Sequence, residues 1–255
     1  MVDIDLKTAV RHWPQALRRP RWAWVFATQG RAGLFREVVR DSIKVMHTAP
    51  ELSGLEEISR TTPISPIGKM GGTQEYLYHL ICLLRPNTVV ETGVFRGISS
   101  AFILSALSRN RRGRLYSIDL PQASYGMPGG GRDTSNLPFG EKTGFVVPES
   151  LRERWTLVIG DSKLELVPLL SKLGAIDMFL HDSEHTYECM MWEYSSAWPF
   201  IRPGGVLASD DIGWNRAFDE FVSAHATAPV MRVKGKLGIA KKAEHAPQSR
   251  RVFLP

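Results

Sequence analysis

The chain has 255 residues, a formal net charge of +6 and a hydrophobic content of 43%. The length suits one large α/β domain with an appendage, and the composition is ordinary for a globular protein. No apolar run approaches the ~20 residues of a membrane-spanning helix, and the N-terminus lacks the apolar segment of a secretory signal. The two cysteines, Cys82 and Cys189, lie in apolar helical patterns, which favours buried thiols over a disulfide or zinc site and predicts a cytoplasmic location.

The N-terminal segment shows helical patterns and no strand signals, so we predict a helical extension at 1–60. Trp13, Trp22 and Trp24 are interleaved there with arginines, which makes the segment basic and amphipathic. Packing on the main domain is the default expectation, while contact with a second subunit of a homo-oligomer or with a membrane surface stays open. A linker containing proline, glycine and serine follows, and the main domain is predicted at 61–255.

From Gly72 onward, helical patterns alternate with apolar runs. We predict helices at 74–84, 98–109, 162–173, 186–200 and 215–225, and strands at 88–93, 114–119, 155–159, 176–181 and 205–209. Two further runs, 230–233 and 237–240, are too close together for a crossover helix and should form an antiparallel hairpin. The sequence therefore predicts an α/β fold with a doubly wound, seven-stranded, mostly parallel, Rossmann-like sheet and a terminal antiparallel hairpin.

A long loop rich in glycine and proline follows the second predicted strand, at 121–148. Loops of this length inside a compact domain are usually functional or disordered. Because this loop leaves the sheet on the ligand-binding side, we expect it to act as a lid.

The first three predicted strands each end in an acid, at Glu91, Asp119 and Asp161. The carboxyl ends of parallel strands lie side by side, and an acid after the second strand can accept hydrogen bonds from both hydroxyls of a ribose. Each acid taken singly is also explained as the N-cap of the following helix. Three in succession favour a nucleotide-containing cofactor.

The first strand runs into the segment Gly93-Val-Phe95-Arg-Gly97, which opens a helix. Glycine lets a ligand approach the backbone, and the N-terminus of the helix offers free N–H groups. The G-x-G-x-x-G spacing of a dinucleotide site is absent, because Phe95 stands where the second glycine would be. The segment is a candidate cofactor loop of another kind.

The fourth and fifth parallel strands also end in acids, Asp182 after one and Asp210-Asp211 after the other. Three converging carboxylates repel one another unless a cation lies between them, and oxygen ligands suit a hard divalent cation. His185 follows Asp182 by three residues and is a candidate general base, since an imidazole can take a proton near neutral pH.

Each of these residues also has a structural interpretation. Asp210 and Asp211 could cap the following helix, and His185 could face solvent. His181 alternates with Asp182 along the strand, so it should point to the opposite face and serve the fold. Asp177 begins the same strand, at the wrong edge for the site, and is interpreted as structural too.

The order of the strand-end motifs resembles that of class I S-adenosylmethionine-dependent methyltransferases, over about 61–241. The motifs are Val-Val-Glu91-Thr-Gly93, Ser-Ile-Asp119, Ile-Gly-Asp161-Ser162, Phe-Leu-His-Asp182 and Arg202-Pro-Gly-Gly-Val. In lacking the middle glycine, the chain resembles the metal-dependent O-methyltransferases, the group of catechol and macrolide-sugar enzymes. The spacing from Asp182 to Asp210 matches that of this group, and a histidine three residues after Asp182 resembles its sugar-modifying members.

The resemblance implies specific roles for residues of this chain. The S-adenosylmethionine site would be lined by Glu91, Gly93, Phe95, Gly97, Ser99, Asp119, Asp161 and Ser162. Of these, Glu91 and Gly93 would lie at the methionine end, Ser99 near its carboxylate, Asp119 at the ribose, and Asp161 with Ser162 at the adenine. Mg²⁺ would be held by Asp182, Asp210 and Asp211, with His185 as catalytic base.

We therefore expect a Mg²⁺-dependent O-methyltransferase that acts on a hydroxyl of a sugar or polyol-like small molecule, with no nucleic-acid partner. One rival is a nicotinamide-dependent oxidoreductase on a similar fold, which the absent G-x-G-x-x-G disfavours. Another is a nucleic-acid or membrane-surface binding protein with a degenerate cofactor site, which rests on the arginines and tryptophans of residues 1–60.

Overall fold

The computed structural model describes residues 73–120, 141–225, 230–233 and 235–243. The helices are α1 (Thr73–Leu84), α2 (Ile98–Asn110), α3 (Ser162–Leu173), α4 (Tyr187–Ala197) and α5 (Ala217–His225), and a 3₁₀ helix covers Glu149–Arg154. The strands are β1 (Thr88–Thr92), β2 (Arg114–Asp119), β3 (Trp155–Ile159), β4 (Ile176–His181), β5 (Ile201–Ser209), β6 (Val230–Val233) and β7 (Leu237–Lys241). The predicted N-terminal extension and most of the predicted lid lie outside the described residues.

The seven strands form one sheet in the order β3-β2-β1-β4-β5-β7-β6. The strands from β3 to β5 pair in parallel, and β7 runs antiparallel to both β5 and β6. The predicted α/β fold, its mostly parallel sheet and its terminal antiparallel hairpin are thus confirmed. Because Thr92 lies opposite His181, and His181 opposite Ser209, the residues that follow β1, β4 and β5 emerge together at one edge.

Two apolar clusters cover the two faces of the sheet. On one face, α1 and α2 pack on the strands through Ile81, Ile103 and Leu107. On the other face, α3, α4 and α5 contribute Leu166, Tyr194 and Phe221, among others. All six residues of β4 are buried, as expected for a central strand of a parallel sheet that is covered on both sides.

Two elements differ from the predicted boundaries by three residues or more, and a third element was not predicted. Helix α4 ends at Ala197, before Pro199 and three residues earlier than expected. Strand β5 begins at Ile201 rather than 205, because Ile201 pairs with Ile176 ahead of an irregularity in the register, despite the Pro-Gly-Gly that follows. The short 3₁₀ helix carries no amphipathic repeat and was not predicted. None of the described helices is long and apolar enough to cross a membrane.

Gly93 is required by the packing of the chain against itself. Its φ is +82°, and a Cβ built there would lie 1.9 Å from the carbonyl oxygen of Asp182. No rotamer relieves a contact between a Cβ and a backbone oxygen, so only glycine allows the end of β1 to lie this close to the residue that follows β4. The contact with Asp182 explains why residue 93 is a glycine, without any contact with a ligand.

We expect Gly93→Ala to lower the thermal midpoint of unfolding sharply or to prevent folding. Gly235→Ala is the matched control, because Gly235 also has a positive φ (+67°) but no atom lies within 4 Å of the added Cβ. The control should lose only the ~1 kcal/mol of left-handed backbone strain. Equal losses in the two variants, measured by denaturant unfolding, would contradict the steric explanation.

Candidate cofactor and acceptor site

Glu91 lies inside the domain at the end of β1 rather than on an open surface. Its carboxylate is fully buried and accepts hydrogen bonds from Ser99 (2.8 Å) and Ser100 (2.7 Å) of α2 and from Ser117 (2.7 Å) of β2. Burial raises the pKa of Glu91 to about 7, although the three hydroxyl groups act to lower it. Two predicted cofactor residues, Glu91 and Ser99, therefore bind each other and join β1 to α2.

The predicted cofactor loop, Gly93 to Gly97, makes a tight turn between β1 and α2. Gly93, Phe95 and Gly97 all have positive φ, which leaves Phe95 as a non-glycine residue in a left-handed conformation. The amide of Phe95 donates to Oδ2 of Asp119 (2.6 Å), and Gly144 donates its N–H to the carbonyl of Phe95 (2.8 Å). The loop is thus held between β2 and the segment that precedes the 3₁₀ helix.

Gly97 contacts that same segment. A Cβ at Gly97 would lie 2.8 Å from both the Cα of Gly144 and the side chain of Val147. Both loop glycines therefore serve close packing of the protein, and their spacing is set by protein contacts at each end of the turn.

The remaining two strand-end acids have different surroundings. Asp119 is nearly buried, and its carboxylate accepts from the amides of Phe95 and Leu120, so it is not a helix cap. Asp161 is exposed and caps α3, accepting from the amide of Lys163 (2.9 Å). The capping interpretation accounts for Asp161, while Ser162 is the first residue of the helix that it caps.

Asp182 and His185 come together after β4, as their spacing predicts. His185 Nε2 lies 4.0 Å from Asp182 Oδ1, and the His185 side chain is 5% exposed against 27% for Asp182. The side-chain amide of Asn215 donates to the carbonyl of His185 (3.0 Å), which ties this turn to the one after β5. The ring of Trp214, which is 47% exposed, lies 5.1 Å from the His185 ring. The solvent interpretation of His185 does not fit its burial.

Asp210 follows β5 in a site that disfavours negative charge. Burial and the neighbouring carboxylate of Asp211 raise the pKa of Asp210, while a hydrogen bond from Thr73 and the proximity of His185 act against the shift. Within the described part of the chain, its buried Oδ1 has no hydrogen-bond partner. An oxygen in this state can accept a hydrogen bond from a ligand or bind a cation.

The predicted metal ligands are all carboxylates, the donor type that Mg²⁺ prefers. Asp211 takes a left-handed backbone conformation (φ 47°), directly after the buried Asp210. Among the described residues, no group of three His, Cys, Asp or Glu side chains is arranged closely enough to hold a metal ion. The donor set and the buried oxygen of Asp210 fit a hard cation, and the spacing of the side chains would have to tighten around it.

Two polar residues at opposite ends of β4 have the structural roles that were predicted for them. His181 is fully buried, and its Nδ1 lies 2.6 Å from Oε2 of Glu193 on α4. Asp177, at the opposite end of the strand, accepts from the amides of Asn87 and Thr88 and binds Arg202. Glu193 itself was missed, although helical spacing places it on the same face as the buried Cys189, Met190 and Ala197.

The raised pKa of Glu91 makes stability depend on pH. The carboxyl holds its proton more tightly in the folded protein, with a pKa of about 7 against an ordinary value of 4.5. Stability from this group is therefore complete below pH 4.5 and is lost as the pH rises through 7. We expect Glu91→Gln, a neutral side chain of the same shape, to flatten the fall in unfolding free energy between about pH 5 and about pH 8.

The exposed Glu149→Gln is the control for this measurement, because its side chain is 94% exposed and should leave the pH profile unchanged. The profile is measured by denaturant unfolding at several pH values. An identical slope in wild-type protein and Glu91→Gln would show that folding does not raise the pKa of Glu91.

Comparison with known proteins agrees with the fold. Residues 90–212 match the family described as "Methyltransferase domain". The structure is similar to the O-methyltransferase TomG of Streptomyces achromogenes, solved with S-adenosylmethionine (16% identity, TM-score 0.55, covering 76% of this chain and 90% of that one). No curated protein sequence is significantly similar to the chain.

Two further solved structures share the fold. A protein of Klebsiella pneumoniae, described as an O-methyltransferase, has 17% identity and a TM-score of 0.56, covering 76% of this chain and 90% of that one. The O-methyltransferase of Bacillus cereus, solved with S-adenosylhomocysteine, has 14% identity and a TM-score of 0.50, covering 81% and 91%. Residues 90–212 are thus similar to a methyltransferase domain, and the strand order is that of the Rossmann-like methyltransferase fold which the sequence resemblance implies.

Proposed function

We propose that the protein transfers the methyl group of S-adenosylmethionine to a hydroxyl of a sugar or polyol-like small molecule, with Mg²⁺ or another hard divalent cation in the acceptor site. The observation that carries the proposal is the Asp182–His185 pair, held at the carboxyl edge of the sheet with Asp210 nearby. An oxygen acceptor is supported by the structural neighbours from Streptomyces and Bacillus, both named O-methyltransferases.

The cofactor would lie along the carboxyl ends of β1, β2 and β3. Gly93, Phe95 and Gly97 would face it from the loop, Asp119 would accept from the ribose, and Asp161 with Ser162 would border the adenine. Asp119 already accepts two backbone amides, yet a carboxylate has lone pairs for about four donors. Glu91 and Ser99 would act at the methionine end through their mutual hydrogen bond, by fixing the start of α2.

The cation would be held by Asp182, Asp210 and Asp211. Bound there, it would lower the pKa of the acceptor hydroxyl and orient its oxygen. The buried Oδ1 of Asp210 supports this assignment, because a cation would satisfy an oxygen that otherwise has no partner among the described residues. Two adjacent oxygens on the acceptor, as in a vicinal diol, suit the positions that three carboxylates leave open.

His185 would remove the proton of the hydroxyl. The oxygen forms a bond to the methyl carbon as the carbon–sulfur bond breaks, S-adenosylhomocysteine leaves, and the proton passes to the imidazole. Because no covalent enzyme intermediate is needed, alignment of the two substrates supplies much of the acceleration. The exposed face of Trp214, next to the His185 ring, suits a ring-shaped acceptor that presents its hydroxyl to the imidazole.

His185→Ala tests the general base. We expect kcat to fall by ~10²–10⁴-fold, with methyl transfer from labelled S-adenosylmethionine to methyl α-D-glucopyranoside or 3,4-dihydroxybenzoate as the assay. Cofactor affinity, measured by calorimetry, should change little. The rise of the wild-type rate with pH through the titration of the imidazole should vanish in the variant.

The control for this variant is His225→Ala, since His225 lies on α5 and stacks on Phe221 away from the pair. It should keep the wild-type rate and pH profile. If His185→Ala retains near-normal kcat with an acceptor that wild-type protein methylates, the proton goes elsewhere, with Tyr187 as the nearest competitor in sequence.

Metal dependence has its own test. We expect chelation by EDTA to abolish transfer and added Mg²⁺ to restore it, and Asp210→Asn to remove the heat of Mg²⁺ binding in calorimetry, because it removes the charge of a buried ligand. Asp219→Asn is the control, as Asp219 is exposed and binds Arg232. If the rate is unchanged after chelation, the metal has no role in the reaction, and methyl transfer depends on His185 and on the alignment of the substrates.

The remaining predictions about partners concern other parts of the chain. A membrane contact or homo-oligomer through residues 1–60, and a lid at 121–148, depend mainly on residues outside the described ranges. We keep both as predictions, together with a small-molecule acceptor and no nucleic-acid partner. No described feature favours the nicotinamide-dependent oxidoreductase, and the methyltransferase family match stands against it.

A further inference from the structure

The carboxylate of Glu193, on α4, joins the carboxyl ends of two neighbouring strands from inside the domain. Its Oε2 accepts from the hydroxyl of Thr92, the last residue of β1, and lies 2.6 Å from His181 Nδ1, at the end of β4. Its Oε1 accepts from the hydroxyl of Ser183 (2.9 Å). Glu193 thus binds both sequence neighbours of Asp182 and the residue before Gly93.

A fully buried carboxylate at this position costs free energy of desolvation. An apolar side chain of the same size would fill the space without loss of hydration, and buried ion pairs are often no more stabilising than such a replacement. Burial alone would raise the pKa of Glu193, yet the charge and hydrogen bond of His181, with the hydroxyl of Thr92, hold it below its ordinary value. The partners that favour the ionised group are His181, Thr92 and Ser162, which lie after or at the ends of β4, β1 and β3.

The arrangement fixes Asp182 from below. His181 and Ser183 both bind Glu193 on α4, and the His185 ring lies 5.3 Å from the His181 ring and 4.0 Å from Asp182 Oδ1, so His185 packs against the residues that Glu193 holds. The backbone of Asp182 is bound on the same level, because its N–H donates to the carbonyl of Thr92 (2.8 Å). Rotation of this turn would break the bonds of Glu193 to His181 and Ser183.

We propose that Glu193 is a positioning residue, which through Thr92, His181 and Ser183 holds the Asp182–His185 turn in register with the cofactor loop at Gly93. The inference rests on the proposed function, in which the same turn supplies a cation ligand and the general base. Glu193 itself touches neither cofactor nor acceptor. Its contribution is to alignment, and a displacement of about 1 Å can cost ~10²-fold in rate.

Asp177 provides the matched control. It is another nearly buried carboxylate that ties β4 to β1, through the amides of Asn87 and Thr88, and it binds Arg202, but it lies at the opposite end of β4. Asp177→Asn and Glu193→Gln both replace a carboxylate with an amide of the same shape. If Glu193 served stability alone, the two variants should behave alike once their loss of stability is allowed for.

The first measurement needs no acceptor. Amide hydrogen exchange is compared in wild-type protein, Glu193→Gln and Asp177→Asn, well below the unfolding temperature of each. We expect exchange at residues 182–186 to rise at least about tenfold in Glu193→Gln only, because the turn then opens locally without global unfolding. Unchanged protection of the turn in Glu193→Gln, or an equal rise in Asp177→Asn, would overturn the inference.

The second measurement separates alignment from binding. With the probe acceptors named above, Glu193→Gln should lower kcat by ~10- to 100-fold while calorimetric affinity for S-adenosylhomocysteine stays within a few-fold. Asp177→Asn should keep kcat. If Glu193→Gln keeps the wild-type kcat while His185→Ala is inactive, the positioning role of Glu193 is wrong. The proposed function would be unaffected by that result. Full activity of His185→Ala would show that His185 is not the general base. The hydrogen-exchange measurement would still test whether Glu193 holds the Asp182–His185 turn.

Discussion

The contact between the ends of β1 and β4 is the constraint on which the site depends. The N–H of Asp182 donates to the carbonyl of Thr92, and the next residue, Gly93, lies so close to Asp182 that a single Cβ would collide with its carbonyl. The proposed methyl donor and methyl acceptor occupy the two sides of this contact. A glycine at 93 is therefore needed before any ligand is considered, and the geometry that it permits brings the cofactor loop beside the Asp182 turn.

Three buried carboxylates join β1 or β4 to neighbouring elements, and each is stabilised by different partners. Glu91 receives three serine hydroxyls and keeps a high pKa, so it can hold a proton near neutral pH. Glu193 is ionised because His181 lies against it. Asp177 binds two amides and Arg202 at the far end of β4. The sheet is thus pinned at both ends by charge or polar groups that an apolar core would not provide.

The sequence predicted the strands because each is a short apolar run bounded by turn residues. It also predicted the Asp182–His185 pair, since residues three apart face the same way when the chain turns helically. It did not predict Glu193 as a partner of Thr92, because the two are far apart in the chain and meet only once α4 packs on the sheet. The serines around Glu91 were missed for the same reason, apart from Ser99, which was assigned to the cofactor.

The difference between Asp161 and Asp210 shows what a strand-end acid can become. Asp161 is exposed and satisfied by the N-terminus of its helix, as the capping interpretation requires. Asp210 is buried beside a second carboxylate, and its pKa is raised, so its surroundings disfavour the charge that it would carry alone. Burial beside a second carboxylate would not strengthen a helix cap, because an ionised carboxylate is the better acceptor for the free N–H groups of a helix. A cation between Asp210 and its neighbours would reverse the cost, since it would offset their repulsion and satisfy the buried oxygen at once. The proposed metal-assisted attack by a hydroxyl would therefore give a reason for two adjacent acids after β5, which their effect on stability does not.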